Sequence, residues 1–528
     1  MQNERMKKMV NGAIVLSAAS FVTKLLSALY KVPFQNLTGD EGFYVYQQVY
    51  PLYGIAAALA LNGLPVFVSK LTAELPSYEE QKAALKTVLQ LLSVVAVGAW
   101  AACWFGAPAI AGWMGDNALA PLIRSVSFTF LVVPFLAVMR GYFQGRLDMM
   151  PTGISQVGEQ VVRVGIILFA AFWFAQGGAS VYQMGTLAMS ASWIAGVTGV
   201  LVLSVYARKD AAAKKQLLPA ASIEKASYRT LAFRLVTEGL AISAFSSLLI
   251  LLQLIDSFTV YNGLLDRGLS AASAMVEKGV YDRGQPLVQL GMVIGTGFAS
   301  SLLPLLSQQR TEKRTVGFHR TASSVLRITT VFASAATVGL IVLMPQFNQT
   351  LFSDAAGTAV LRVYVAGIFV ASLIGAYNAI LQSVNRQKTA LAGLAAGLIV
   401  KVVLNRAAVA YFGTIGASLT TVAALLVVLV VLWVRVPGRL KQVLFDGPFA
   451  VKLMLSLLGM GTAVSTVVWL AGRVFPFEGR GAALLLALAG VAVGACVFLF
   501  FLLGTRVLTI REWLSLPFGR KIVKRSLK

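Results

Sequence analysis

Charged side chains set inside long apolar runs are the residues of this chain best placed for chemistry, because an ion among hydrocarbon side chains must find water, a partner or a ligand. Lys24 stands between SAASFVT and LLSALY, too deep to reach either end of its run, and reads as a ligand contact or a structural ion pair. Asp256 closes the run LLILLQLI and is the natural acidic partner for Lys24; cavity, ion-coupling and helix-end solvation roles all fit it. Gln156, Glu159, Gln160 and Arg163 recur at helical spacing and fall on one face, with Glu159 and Arg163 one turn apart and able to pair. Lys401, Asn405 and Arg406 repeat that polar stripe more weakly, and a buried structural network serves as well as a ligand role. Asp282 and Arg283 open YDRGQPLVQLG, where Pro286 and several glycines bend the chain; Arg283 reads as a substrate contact or as a snorkelling interface residue. The run GDEGFYVYQQVYPLY carries Tyr44, Tyr46, Gln47, Gln48, Tyr50 and Tyr53, an aromatic belt at a helix end or a set of hydrogen-bond donors for sugars.

The elements that hold these residues are membrane spans. The chain has 528 residues, 57% hydrophobic and 12% charged, and apolar runs of helical length recur from residue 10 to residue 504. The expected helices cover 10–32, 43–68, 85–107, 119–140, 155–176 and 182–206, then 231–256, 279–305, 317–344, 358–384, 388–411 and 415–436, and last 449–473 and 481–504, about fourteen in all. The first run reaches Val32 without a small-residue cleavage site and more spans follow, so it is not read as a signal peptide. A net charge of +24 raises the question of nucleic acid. Its distribution answers otherwise: basic residues such as Lys7, Lys70, Lys82, Arg140, Arg146, Lys214, Lys313, Arg386 and Lys441 gather in alternate loops. That alternation is the positive-inside pattern, with anionic membrane lipids as counter-charge, no nucleic acid and both termini in the cytoplasm. The tail from 508 to 528 reads as a basic interfacial segment. The one histidine, His319, lies in a basic loop, and the two cysteines, Cys103 and Cys496, have no CxxC spacing. Walker A, GxSxG and HExxH patterns are absent, so no enzyme, metal or cofactor is expected, and any transport must be passive or driven by ion or potential gradients.

An ungapped offset of 238 residues aligns Asp116 with Asp354, Arg124 with Arg362, Gln144 with Gln382 and Arg163 with Lys401, and Pro65 meets Pro304 one residue out of register. Each half has an even number of spans, so the halves run the same way across the membrane. The expected organisation is an N-lobe over 1–206, a basic cytoplasmic linker over 207–230, a C-lobe over 231–436, two extra helices within 437–504 and a basic tail over 505–528.

The strings TGDEGFYVYQQVYPLYGIA, NGLPVFVSKL, YDRGQPLVQLG and LQSVNRQK resemble those of the SpoVB/YabM-type polysaccharide exporters of Gram-positive bacteria. These belong with the MurJ lipid II flippases to the MOP exporter superfamily. The resemblance covers nearly the whole chain. It implies a MurJ-like all-α fold in the bacterial cytoplasmic membrane, an undecaprenyl-diphosphate-linked saccharide as substrate, and alternating access. Lys24 matches the first of two basic residues in helix 1 of the MurJ type, and Arg283 the basic residue at the outer start of helix 8. The second basic residue falls at Tyr30, beside Lys31, and the acidic residue that follows it in MurJ is missing. Lys24 and Arg283, with Arg163 and Lys401 deeper, are then the expected diphosphate contacts, with Glu159, Tyr46 and Gln47 around the sugars and Asp256 for ion coupling or pairing. A MATE-like cation antiporter shares the plan but needs a carboxylate-rich cavity, whereas Lys24, Arg163, Arg283, Lys401 and Arg406 here outnumber Glu159, Glu238 and Asp256. A glycosyl polymerase or ligase needs a sizeable outer loop, and the longest, about Ser257 to Lys278, is short. The expected protein is a monomer, with cell-wall or polysaccharide synthases as candidate associates.

Overall fold

A computed structural model describes residues 2–75, 77–214, 228–292, 315–384, 386–444, 446–474 and 479–514. The central part of the basic linker, the second half of the eighth expected span with Pro304, and most of the tail lie outside them. Among the described residues the structure is helical and has no strand. Twelve helical stretches among the described residues are long and apolar enough to cross a membrane. The first of these, Val15–Glu74, joins two of the expected spans.

The chain packs as two compact units, Met1–Asp282 and Arg283–Lys528. In the first, α1 (Gln2–Leu29) leads into α2 (Lys31–Ala58), followed by a π-helical segment, Leu59–Gly63, and α3 (Leu64–Glu74). Gly39, at φ 67° and ψ −177°, breaks α2 in a conformation that a side chain strongly disfavours. The chain folds back there, so that Phe34 packs on Phe43 and Tyr46. Next come α4 (Tyr78–Trp113), capped by the Ser77 hydroxyl accepting from the Glu80 amide, α5 (Ala120–Gly145), α6 (Met150–Ala175) and α7 (Val181–Lys214). The seventh expected span is made in pieces: α8 (Tyr228–Arg234), a second π segment (Leu235–Leu240), α9 (Ala241–Ser246) and α10 (Leu248–Asp266), with α11 (Ala271–Asp282) after it. This stretch packs on α2 and the first π segment. A Cβ at Gly63 would lie 2.6 Å from the Ser243 Cα, and Gln48 donates to the Ser257 carbonyl at 2.6 Å. The division between the two units falls at Asp282 and Arg283, so this stretch packs with the first unit.

In the second unit residues 284–292 are helical. They precede α12 (Thr315–Val342), α13 (Met344–Phe352), α14 (Thr358–Ser383), α15 (Gln387–Phe412), α16 (Thr414–Arg435), the short α17 (Gly438–Lys441), α18 (Gly447–Val474), α19 (Arg480–Gly504) and α20 (Ile510–Leu514). Ile328, Val331, Phe449, Met460, Phe498 and Leu502 knit α12 to α18 and α19.

Equivalent positions of the proposed repeat carry out the same local tasks. Gly115 and Ser353 both take positive φ, at 89° and 71°. Immediately after them Asp116 Oδ1 accepts from the Ala118 amide at 3.0 Å, and Asp354 Oδ1 from the Ala356 amide at 2.8 Å. Arg124 Nε donates to the Trp104 carbonyl, as Arg362 Nε does to that of Ile341.

Three expectations are corrected. Asp256 does not end a helix: the run continues through FTVYNGLL, so Asp256 is buried within α10. For the same reason the connection expected on the outside shrinks from 257–278 to residues 267–270, between α10 and α11. Arg140, counted among the loop cations, is 0% exposed and lies within the helix bundle.

Candidate anion site

Helix α6 turns the usual amphipathic pattern inside out. Gln156, Glu159, Gln160 and Arg163 are buried, as their spacing requires, whereas Ile154, Val161, Phe169 and Phe172 point outward. Apolar residues outside and polar ones inside are what a lipid solvent demands. The Gly39 reversal brings Tyr30 back onto Tyr46, their hydroxyls 2.8 Å apart. Tyr46, Tyr50 and Tyr53 lie at three- and four-residue spacing on one side of α2, and their rings touch in series, with centroids 5.9 and 5.7 Å apart. These tyrosines are buried inside the unit, so the aromatic-belt alternative does not describe them.

Two cations enter this ring of tyrosines. The Arg163 guanidinium lies 4.3 Å from the Tyr53 ring centroid and 5.2 Å from that of Tyr30. Arg163 is 1% exposed, and its Nε and Nη1 are fully buried without an acceptor among the described residues. Lys31 is fully buried too, its ammonium 4.1 Å above Tyr50 and within electrostatic range of both Arg163 and Asp282. Asp282 in turn accepts from Lys278 at 2.6 Å, and Asp256 accepts from the Tyr281 hydroxyl at 2.9 Å. Desolvating a guanidinium costs several kcal/mol. A desolvated cation–π contact returns about 2 kcal/mol. The two rings therefore leave Arg163 short of full compensation, and an anion with oxygen acceptors would supply the rest.

The other expected site residues are distributed differently. Glu159 reaches Arg140, not Arg163, at 2.7 Å. Gln47 is buried on α2 next to Tyr46 in sequence. Lys24 is exposed on α1 and, among the described residues, has neither a hydrogen bond nor an ion pair, so its expected pairing with Asp256 is not formed. Arg283 is fully buried in the second unit and grips Asp354 with two bonds of 2.6 and 3.0 Å, its guanidinium 5.1 Å from the Phe352 ring. That grip holds the Asp354 carboxyl below the usual carboxylate range. Lys401 donates to the Ala417 carbonyl at 3.0 Å and to Thr421 Oγ1 at 2.5 Å. Arg163, Tyr46 and Glu159 are thus gathered in the first unit, while Arg283 and Lys401 belong to the second. Sequence reasoning missed Lys31 and Lys278 as buried cations. The signal for Lys31 was available: Pro33 is tolerated in a first helical turn, so the helix runs on to the glycine at 39 and keeps Lys31 inside it.

Buried polar helix faces, apolar outer faces and twelve candidate spans define a multi-pass helical membrane protein of the MurJ and MATE fold. The inward closed structure of the lipid II flippase MurJ superposes with a TM-score of 0.66 at 14% identity, over 92% of this chain and 98% of that one. An inward-facing multidrug MATE transporter of the MOP superfamily does so with a TM-score of 0.59 at 15% identity, over 80% and 96%. The chain belongs to the polysaccharide biosynthesis protein family, whose pattern matches residues 9–310. Three Bacillus subtilis (strain 168) proteins are similar along nearly their whole lengths. The uncharacterized membrane protein YabM is 36% identical over 97% of this chain and 96% of its own. The lipid II flippase MurJ is 27% identical over 93% and 94%. Stage V sporulation protein B is 24% identical over 98% and 99%.

Proposed function

We propose that this protein is a flippase that carries an undecaprenyl-diphosphate-linked saccharide across the bacterial cytoplasmic membrane by alternating access. The observation that carries this reading is Arg163, a fully buried guanidinium with unmet donors, set with Lys31 in a ring of tyrosines. A diphosphate cannot cross hydrocarbon unaided, whereas its prenyl chain is at home there. Arg163 would fork onto phosphate oxygens and Lys31 would add a point charge. Tyr46, Tyr50 and Gln47 supply rings and polar groups for the first sugar. Lys24, without an ion pair among the described residues, is suited to first capture, and a contact by Arg283 requires Asp354 to release it. The family relationship and the similarity to a lipid II flippase support the same class of substrate. A cation antiporter gains nothing from an uncompensated positive site. The alternating basic loops support cytoplasmic termini, so a cysteine placed at exposed Lys209 should be shielded from an impermeant outside thiol reagent; labelling there would reverse the topology.

The test of function is leaflet exchange of a fluorescent undecaprenyl-diphosphate saccharide in vesicles containing the purified protein. Exchange above protein-free vesicles is expected. Background exchange, from protein that is folded and retains its thermal melting transition, would contradict the proposal.

A further inference from the structure

On α6, Glu159 precedes Arg163 by one turn, the spacing and order in which a carboxylate and a guanidinium most readily close on a helix. The pair does not form. Glu159 Oε2 instead accepts from Arg140 Nη2, brought in from α5, at 2.7 Å. Arg140 is locked on its other sides as well: Nε donates to Ser155 Oγ and Nη1 to the Ala60 carbonyl, both at 3.3 Å. Ala60 lies in the π segment Leu59–Gly63, one of the places where a helix carries carbonyls outside the regular ladder. One buried arginine thereby has three hydrogen-bond partners, while two donors of the next, Arg163 Nε and Nη1, a turn away from the carboxylate, have no acceptor among the described residues.

We infer that Arg140 is a positioning residue that holds Glu159 away from Arg163 and so keeps the anion site open. This rests on the reading of Arg163 as a diphosphate contact. Without Arg140, the Glu159 carboxylate is the nearest anion along α6 for Arg163, and closing that pair would occupy the donors that an incoming diphosphate needs. A substrate would then have to displace an internal carboxylate instead of entering a vacant site. The same arrangement explains how α6 can carry a carboxylate in its polar stripe without cancelling the positive field around the tyrosines: Arg140 neutralises it through their ion pair.

The test measures binding of a fluorescent short-chain prenyl diphosphate to purified protein in nanodiscs, with thermal melting as a folding control. Arg140→Gln should weaken binding at least about tenfold, the scale of a lost charge-assisted contact. Arg140→Lys, which keeps a charge on Glu159, should retain most of it. The double variant Arg140→Gln with Glu159→Gln removes the competing carboxylate and should bind within about threefold of wild type, an interaction between the two sites that a merely structural role would not produce. A folded double variant that binds as weakly as Arg140→Gln, or wild-type binding by Arg140→Gln itself, would overturn the inference. If Arg140→Gln does not fold, the double variant decides alone: binding supports the role and a folded non-binder refutes it. Arg163→Gln separates the two levels of the argument. Lost binding there without rescue in the double variant sinks only the role of Arg140, whereas normal binding by Arg163→Gln removes the anion site on which that role depends.

Discussion

Arg163 in the first unit and Lys401 in the second occupy equivalent places in the proposed repeat, and both are fully buried cations, yet their surroundings are opposite. Arg163 has aromatic faces and, among the described residues, no acceptor for two of its donors. Lys401 is solvated by the protein itself, through the Ala417 carbonyl and the Thr421 hydroxyl. A cation whose donors are met is part of the scaffold; one left unmet stores a desolvation cost that a ligand can relieve. Backbone duties survive in both halves, as the matching turns at Asp116 and Asp354 show, while the chemistry at depth differs.

The largest effect expected from this contrast is in transport. Arg163→Gln removes up to two charge-assisted hydrogen bonds to substrate, at roughly 1.5–3 kcal/mol each, so leaflet exchange should fall by about a hundredfold or more. Its melting temperature should hold or rise, because an unmet buried charge is gone; a marked fall would make Arg163 a structural residue after all.

Lys401→Met should show the opposite sign. It removes the ammonium's charge-assisted bonds to the Ala417 carbonyl and the Thr421 hydroxyl, a loss of about 1–3 kcal/mol in stability, and transport should decline only as far as the folded fraction does. A stable Lys401→Met protein without transport would put the second unit into the binding site.

The Arg283–Asp354 grip gives a smaller, pH-dependent effect. Arg283 depresses the folded-state ionisation of Asp354, so its contribution is present above the unfolded value, about 4, and disappears as pH falls through the folded value. Wild-type protein should lose its stability advantage over Asp354→Asn only in that acid range, as thermal melts at neutral and acid pH would show. An advantage that grows in acid would reverse the sign and discredit the pair.

Least is expected of the network in which Lys70 meets Glu238 and Arg234 meets Glu74 and Glu238, because Lys70 and Glu74 are exposed and Arg234 and Glu238 only half-buried. Lys70→Ala should cost no more than about 1 kcal/mol, and less still in high salt. A larger loss that persists in salt would make this cluster a principal tie between α3 and the broken seventh span.

The spans and the polar stripe of α6 were legible because both follow from periodicity, and periodicity is local. Arg163 and Glu159 were correctly set on one face, but their partners were not, since Arg140 arrives from another helix and spacing along α6 is blind to it. Arg140 was itself placed in a loop because it closes an apolar run. Asp256 was set at a helix end because the run LLILLQLI stops there; the following FTVYNGLL is helical only because the unit buries Val260, Tyr261 and Leu264. Lys31 became a site residue only through the Gly39 reversal, which returns it to the tyrosines of α2. Which charges lie at depth is written in the sequence, whereas which of them are satisfied is decided by tertiary packing.

The central claim, that the unmet cation and not the satisfied one receives the diphosphate, is tested most directly by equilibrium binding of a fluorescent undecaprenyl-diphosphate saccharide to wild type, Arg163→Gln and Lys401→Met in nanodiscs. Affinity should fall by at least about tenfold in Arg163→Gln and stay near wild type in folded Lys401→Met. Equal affinities for wild type and Arg163→Gln, or a loss confined to Lys401→Met, would contradict it.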